Sequence, residues 1–438
     1  MLDAGIEPDR RGLDLRLTAA GRSLVAPPAA IPPASLLRNA AFVRLWGAQT
    51  VSTFGSLITR AALPFMAILV LNATPGQIAI LRAADLVPGF LIGLVAGVFI
   101  DRLRRRPLMI AADLGRALLL GSIPLVAFTS HARIEQLYLV ALLASLLTVF
   151  FDVAEQSYIP AVVGRDRLLD ANSKLTATQS IAEVGGFGIA GWLVQLFTAP
   201  IAIAIDAVTF VVSAVFVATI RTPEPPPEPR TQPRGVWREM IEGLSALRAD
   251  ASLRAIGISV AAFECSFGIV GTVYSLYALR ELGFMPGLLG LVYAVGGVSS
   301  LLAAVLAGRL TRRFGVGPTM IGGLALATIG ALFMPLARGA GLVALLLLLA
   351  QQVVGDGGAT IYEINETSLR QAIAPAALLG RINAGIRVAA LGATLLGTVA
   401  GAVLAQTAGY RPALVFGALV MFAGALVIVR SPVGRRRA

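Results

Sequence analysis

The chain is poor in the residues from which most active sites are built. Its 438 residues hold one cysteine, Cys265, and one histidine, His131, which argues against a disulfide scaffold and a zinc-type metal centre. Lys174 is the single lysine, and no Gly-x-x-x-x-Gly-Lys-Ser/Thr run is found, so ATP-driven work by this chain is not expected. Charged residues make up only 14%, against about 25% in a soluble domain. What is abundant is apolar surface: 57% of residues are hydrophobic and mean hydropathy is +0.81. No soluble fold can cover that much, so the chain reads as a polytopic membrane protein.

The net charge of +12 invites a nucleic-acid reading, but the placement of the charges argues against it. The arginines cluster between apolar runs, as in Arg102, Arg104, Arg105 and Arg106, and again in Arg309, Arg312 and Arg313. A span needs roughly 20 apolar residues. On that measure twelve are predicted: 41–70, 77–100, 107–129, 135–160, 172–196, 199–220, 252–279, 286–308, 317–337, 341–369, 378–405 and 411–430. With the N-terminus inside, the cytoplasmic segments hold 28 basic residues and the outer loops 4. Both termini are therefore predicted to be cytoplasmic, in a bacterial inner membrane.

Residues 1–40 read as a disordered cytoplasmic tail with no cleaved signal peptide. A six-helix bundle over 41–220 is followed by a cytoplasmic linker, 221–251, whose Trp237–Leu247 stretch is amphipathic. A second bundle spans 252–430, and 431–438 is a basic tail.

Shifting the sequence on itself by 211 residues aligns Gly97 with Gly308, Arg102 with Arg313, Asp152 with Glu363 and Glu155 with Glu366. Ser157 meets Ser368, Asn172 meets Asn383 and Gly186 meets Gly397 at the same offset. Two six-helix halves related by a parallel repeat resemble the major facilitator transporters. The fold expected from that resemblance is all-α and polytopic, with twelve transmembrane helices in two pseudo-symmetric bundles.

Gly97-Val-Phe-Ile-Asp101-Arg102-Leu-Arg-Arg105-Arg resembles the loop signature of the same superfamily, with Arg104 in place of a glycine. Phe150-Phe-Asp152-Val-Ala-Glu155-Gln-Ser-Tyr-Ile-Pro160, Asp113 with Arg116, and Gly380-Arg381-Ile-Asn383 resemble the drug:proton antiporter branch that includes the enterobactin exporter and macrolide-efflux proteins. The resemblance covers about residues 36–430 and implies secondary-active export of small amphiphilic molecules. The fifth span departs from many antiporters, since Gly186, Gly188 and Gly191 lack an accompanying proline.

Ionisable groups at a span's centre cost about 2.5–3.5 kcal/mol each on insertion scales, so they require partners. Asp113, Arg116, Asp152, Glu155, Glu363 and Glu366 fall in the cytoplasmic third and read as a gating lattice, with proton carriage as the alternative role. With Gly97, Asp101, Arg102, Arg105 and Arg381 they form the gating and loop set. Arg60, Asp85, Glu183, Glu264 and Asp356 lie nearer mid-span and are the candidate proton-coupling or substrate residues. Arg82 and Asp85 are expected to form an intrahelical ion pair, and Asp206 is expected near the outer interface. The aromatics Trp46, Trp192, Tyr274, Tyr277 and Tyr293 read as packing or as stacking surfaces.

The expected partners are a small-molecule substrate, protons, and anionic lipid at the cytoplasmic loops. No cofactor and no nucleic acid is expected, and the chain is expected to act as a monomer. A narrow lipid or metabolite transporter of the same fold, or a lipid-modifying membrane enzyme, stand as alternatives.

Overall fold

A computed structural model of the chain describes residues 36–93, 103–129, 131–222, 245, 247, 250–375 and 378–435. The helices are α1 (Ala40–Leu69), α2 (Pro75–Gly93), α3 (Arg105–Phe128), α4 (Ile134–Val163), α5 (Leu168–Phe197) and α6 (Ala199–Ala218). They continue as α7 (Ala251–Glu281), α8 (Pro286–Phe314), α9 (Val316–Leu336), α10 (Leu342–Ile373), α11 (Leu379–Thr407) and α12 (Tyr410–Arg430). Eleven of these are long and apolar enough to cross a membrane among the described residues. The remaining one, α2, is the described part of the predicted span 77–100.

The repeat is written into the helix boundaries. Ala40 and Ala251, Pro75 and Pro286, Arg105 and Val316, Leu168 and Leu379, and Ala199 and Tyr410 open corresponding helices, each pair 211 residues apart. The caps repeat too. Asn39 accepts hydrogen bonds from the amides of Ala41 and Phe42, and Asp250 accepts them from Ser252 and Leu253, so orphan amides of each first turn are satisfied by the same device. Pro75 and Pro286 sit in first turns, where a missing amide hydrogen costs nothing. At Gly315, φ of +91° joins α8 to α9 in a conformation that a side chain would strain.

Helices α1–α6 pack as one bundle and α7–α12 as another, with two apolar cores lying toward the end that carries the termini. A third core runs across both bundles toward the opposite, far end. Apolar residues such as Leu118, Leu125 and Leu396 are exposed on the outer surface, as expected of helices that face lipid. Gly97, Asp101 and Arg102 lie outside the described residues, as do most of the 1–40 tail and the 221–251 linker. Leu247, at the end of the predicted amphipathic stretch, is buried in the core of the second bundle.

Candidate functional site

The bundles meet along α5 and α8 and along α2 and α11. On α5, Gly188 and Gly191 present no side chain to α8; a Cβ at Gly191 would lie 2.7 Å from the Gly290 Cα. This explains the glycines as a close helix crossing. Further toward the far end, the Gly287 amide donates to Gln195 Oε1 at 2.8 Å and Arg280 donates to the Ile68 carbonyl at 2.9 Å. Gly76 of α2 packs on Gln406 of α11. These contacts seal the far end.

Two turns below that seal a mixed polar and aromatic cluster lies between the bundles. Tyr293 of α8 is flanked by Phe187 of α5 and Tyr274 of α7, each with ring centroids 5.7 Å away, and its hydroxyl lies 3.2 Å from Ser275 Oγ. The Arg82 guanidinium crosses from α2 onto Gly271 of α7, where a Cβ would collide with its Nη1. Arg82 and Asp85 remain within electrostatic reach but form no ion pair, so the expected intrahelical bridge is corrected to a contact between bundles.

In the middle of α10 the backbone opens into one π-turn, Gln352–Asp356. Such turns insert a residue into the helix and rotate the next turn to a new direction. This one sets Asp356 and Gln352 against Gly296 of α8, and Gln351 Nε2 donates to Asp356 Oδ1 at 3.4 Å. Gly355 and Gly358 pack closely on Gly330 and Gly323 of α9, so the glycine-rich run of α10 is a packing and bending device. The repeat places Ser145 opposite Asp356 and Asp85 opposite Gly296. In the first bundle Ser145 Oγ donates to the Asp85 carbonyl at 2.5 Å. The same helix contact therefore carries its carboxylate on α2 in one bundle and on α10 in the other.

The second bundle adds Glu264, whose Oε2 accepts from Thr394 at 2.9 Å, and the exposed Glu363. Glu363 lies within electrostatic reach of Glu264, Asp356 and Glu366. Glu366 is paired with Arg370 at 2.9 Å, and Arg370 also donates to Asn383. This wall is acidic.

The first bundle holds a different network. Arg116 pairs with Asp113 on α3, donates to Thr148 at 3.3 Å, and lies over the rings of Phe151 and Phe210 at 4.6 and 4.1 Å. Glu155 is buried beside it, and Asp152 is exposed. Asp206 is fully buried, accepts from Thr209 at 2.9 Å and packs against Gly55 of α1. The expectation of Asp206 at an interface is thus corrected. Its i,i+3 spacing to Thr209 was the available signal, hidden in an apolar run.

The predicted gating acids thus separate into two sets, one in each bundle. Among the described residues, the ion pairs that involve them stay within one bundle. Of the coupling candidates, Asp356 lies against Gly296 of α8, and Glu264 shares one acidic wall with Glu363 of the gating set. Glu183 is exposed on α5 and accepts from Gln179 at 2.8 Å. Arg60 is exposed and faces Asp85. Arg105 opens α3 at the termini end, and Arg381 lies in the first turn of α11. Trp46 donates to Thr178 at 2.8 Å, tying α1 to α5, so it is a packing residue. Among the described residues no three His, Cys, Asp or Glu side chains gather closely enough to hold a metal ion.

Two six-helix bundles with polar groups at their mid-membrane contact define a secondary-transporter architecture, not an enzyme. Residues 45–350 match the Major Facilitator Superfamily, and the chain belongs to it. It is 26% identical over 421 residues to the uncharacterized MFS-type transporter YfiS of Bacillus subtilis, covering 92% of this chain and 96% of that protein. Macrolide efflux protein A of Streptococcus pyogenes is 30% identical over 219 residues, 49% of this chain and 53% of its own length. Multidrug efflux pump Tap of Mycobacterium bovis is 26% identical over 320 residues, 68% of this chain and 73% of that one. Among solved structures, an inward-facing bacterial homologue of the iron transporter ferroportin superposes with a TM-score of 0.73 at 20% identity, covering 92% of this chain and all of that one. An outward-facing ferroportin homologue gives 0.58 at 17% identity, over 89% of this chain and 98% of its own.

Proposed function

We propose that the protein is a proton-coupled exporter of small amphiphilic molecules. The two bundles, 41–220 and 252–430, rock about the cavity between them, with both termini in the cytoplasm. The observation that carries this reading is Asp356, set by a π-turn against Gly296 of α8 and within electrostatic reach of Tyr274 and of Tyr293, which touches Phe187 of the first bundle. A carboxylate there holds a proton or faces a cationic substrate, and the aromatic faces supply the apolar contact. Efflux relatives support the direction of transport, and the acidic wall of Glu264, Glu363 and Asp356 supports the choice of proton as coupling ion. The sealed far end is read as the outer face closed, which leaves substrate access from the cytoplasm or inner leaflet. The arginine-rich loops meet anionic lipid, and the working unit is one chain.

The test is export of ethidium, a macrolide and a siderophore from cells lacking their main drug pumps, with and without a protonophore. The account predicts export that the protonophore abolishes, and that Asp356→Asn and Asp101→Asn each reduce. No export across the panel, with the protein in the membrane, would favour a narrow lipid or metabolite transporter instead.

A further inference from the structure

The buried charges of the first bundle do not balance. Asp113, Glu155 and Asp206 are each at most 6% exposed, and the one arginine buried among them is Arg116. Arg116 is already committed to Asp113 and held over Phe151 and Phe210. An uncompensated buried carboxylate is strongly unfavourable in this setting. The cheapest way to remove its charge is to add a proton.

The internal repeat supplies a built-in comparison. The offset of 211 places Leu324, Ala327 and Gly417 of the second bundle where the first has Asp113, Arg116 and Asp206. Leu324 and Ala327 are buried, and a Cβ on Gly417 would lie 3.6 Å from the Oγ of Ser266, the counterpart of Gly55. The same helix crossing is therefore built without a single charge. Packing does not require Asp113 or Asp206, so their presence in the first bundle needs another reason, whereas Glu155 keeps an acid, Glu366, at its counterpart.

Asp206 has the geometry of a proton carrier. Its Oδ1 accepts from Thr209 at 2.9 Å, while its Oδ2 is buried with no formed hydrogen bond. The Thr59 hydroxyl of α1, also without a formed bond, faces the carboxyl group. From α3 it is faced by Asp113 and Arg116, and Glu155 of α4 faces that pair. On α6 itself, Ser213 faces Asp113. A proton on Oδ2 gives Asp206 a donor for Thr59 and cuts the buried excess from two carboxylates to one, with Asp113 matched to Arg116 and Glu155 left over.

We propose that Asp206 is a proton-binding site inside the first bundle, protonated in the conformation sealed at the far end and separate from Asp356. When rocking lets water reach it, the Asp206 O–H bond breaks and the proton leaves on that water. The carboxylate left behind is stabilised by Arg116, which sits one turn away against Phe210 of the same helix. The proton-transport role rests on the proton-coupled reading above, but the presence of the proton does not.

Two readouts on full-length protein in proteoliposomes separate them. Infrared difference spectroscopy of the carboxylic-acid carbonyl stretch reads the proton directly; the wild-type-minus-Asp206→Asn spectrum is expected to show one neutral-acid component that the variant lacks. Ethidium movement driven by an imposed pH gradient is expected to fall about tenfold or more in that variant, with downhill ethidium exchange kept within about threefold. Thr59→Val, which leaves Asp206 in place, is expected to shift the same band. It is the fallback if Asp206→Asn does not insert, and an unshifted band would then overturn the proposal. A neutral-acid band of unchanged intensity in Asp206→Asn, or gradient-driven transport within about twofold of wild type, also overturns it. Loss of the band with no gradient-driven transport even in the wild type would uphold the proton site and reject the exporter reading.

Discussion

Arg116 is the residue on which most of the buried electrostatics of the first bundle converge. Its guanidinium neutralises Asp113 and spans two aromatic rings, so removing it strands a carboxylate with no other cation buried near it among the described residues. Arg116→Ala is expected to destabilise the protein by about 3–5 kcal/mol, read as a lowered midpoint of thermal unfolding in detergent. The Asp113→Asn/Arg116→Ala double variant, which removes the stranded charge, is expected to recover part of that loss. At Asp356 the expectation is functional, because Gly296 and Gln352 would accept an amide of the same size. Asp356→Asn is expected to keep downhill ethidium exchange and to lower gradient-driven transport by about tenfold or more. The pairing of Asp113 with Arg116 was legible from i,i+3 spacing alone. Asp206 was not, because one acid in an apolar run does not disclose which neighbouring helix it faces. Arg82 misled for a related reason: the same spacing that pairs Asp113 with Arg116 suggested Asp85, while Gly271 on a distant helix offered the guanidinium a closer bed.

Helices and their crossings were legible where periodic signals act locally. Runs of about 20 apolar residues marked the spans, and in the structure caps at Asn39 and Asp250 and first-turn prolines at 75 and 286 set where those helices begin. The π-turn of α10 was not legible, because an inserted residue in a glycine-rich run leaves hydropathy unchanged. Within that run Gly355 and Gly358 bring α10 close against α9. The crossing of α5 and α8 gives a direct handle on the seal. Gln195→Cys with Gly287→Cys, in a Cys265→Ser background, is expected to form a disulfide on oxidation, since these positions already touch through a 2.8 Å hydrogen bond. Ethidium transport should stop in the oxidised protein and return on reduction. Unchanged transport in the cross-linked protein would mean that the far end does not open during the cycle.

The whole molecule is two copies of one plan that have diverged in charge. The first bundle buries three acids around an arginine, while the second exposes Glu363 and sets Asp356 against Gly296 of its own α8. The duplication and the all-helical membrane fold could be read from hydropathy and one fixed offset. The tertiary placement of each acid could not, since lipid-facing and interior-facing positions have similar apolar neighbours in these helices. Orientation is a separate expectation, resting on 28 basic residues against 4. A green fluorescent protein fused after Ala438 is expected to fluoresce, and an alkaline phosphatase fused there to be inactive; the reverse pattern would invert the topology. The central claim is that an inward proton gradient drives substrate outward. Its most direct test is ethidium movement in proteoliposomes of the full chain under an imposed pH gradient, with the membrane potential clamped. The account predicts uphill ethidium transport coupled to proton movement in the opposite direction, both ended by a protonophore. Uphill transport that persists without a gradient, or ethidium and protons moving in the same direction, would contradict it.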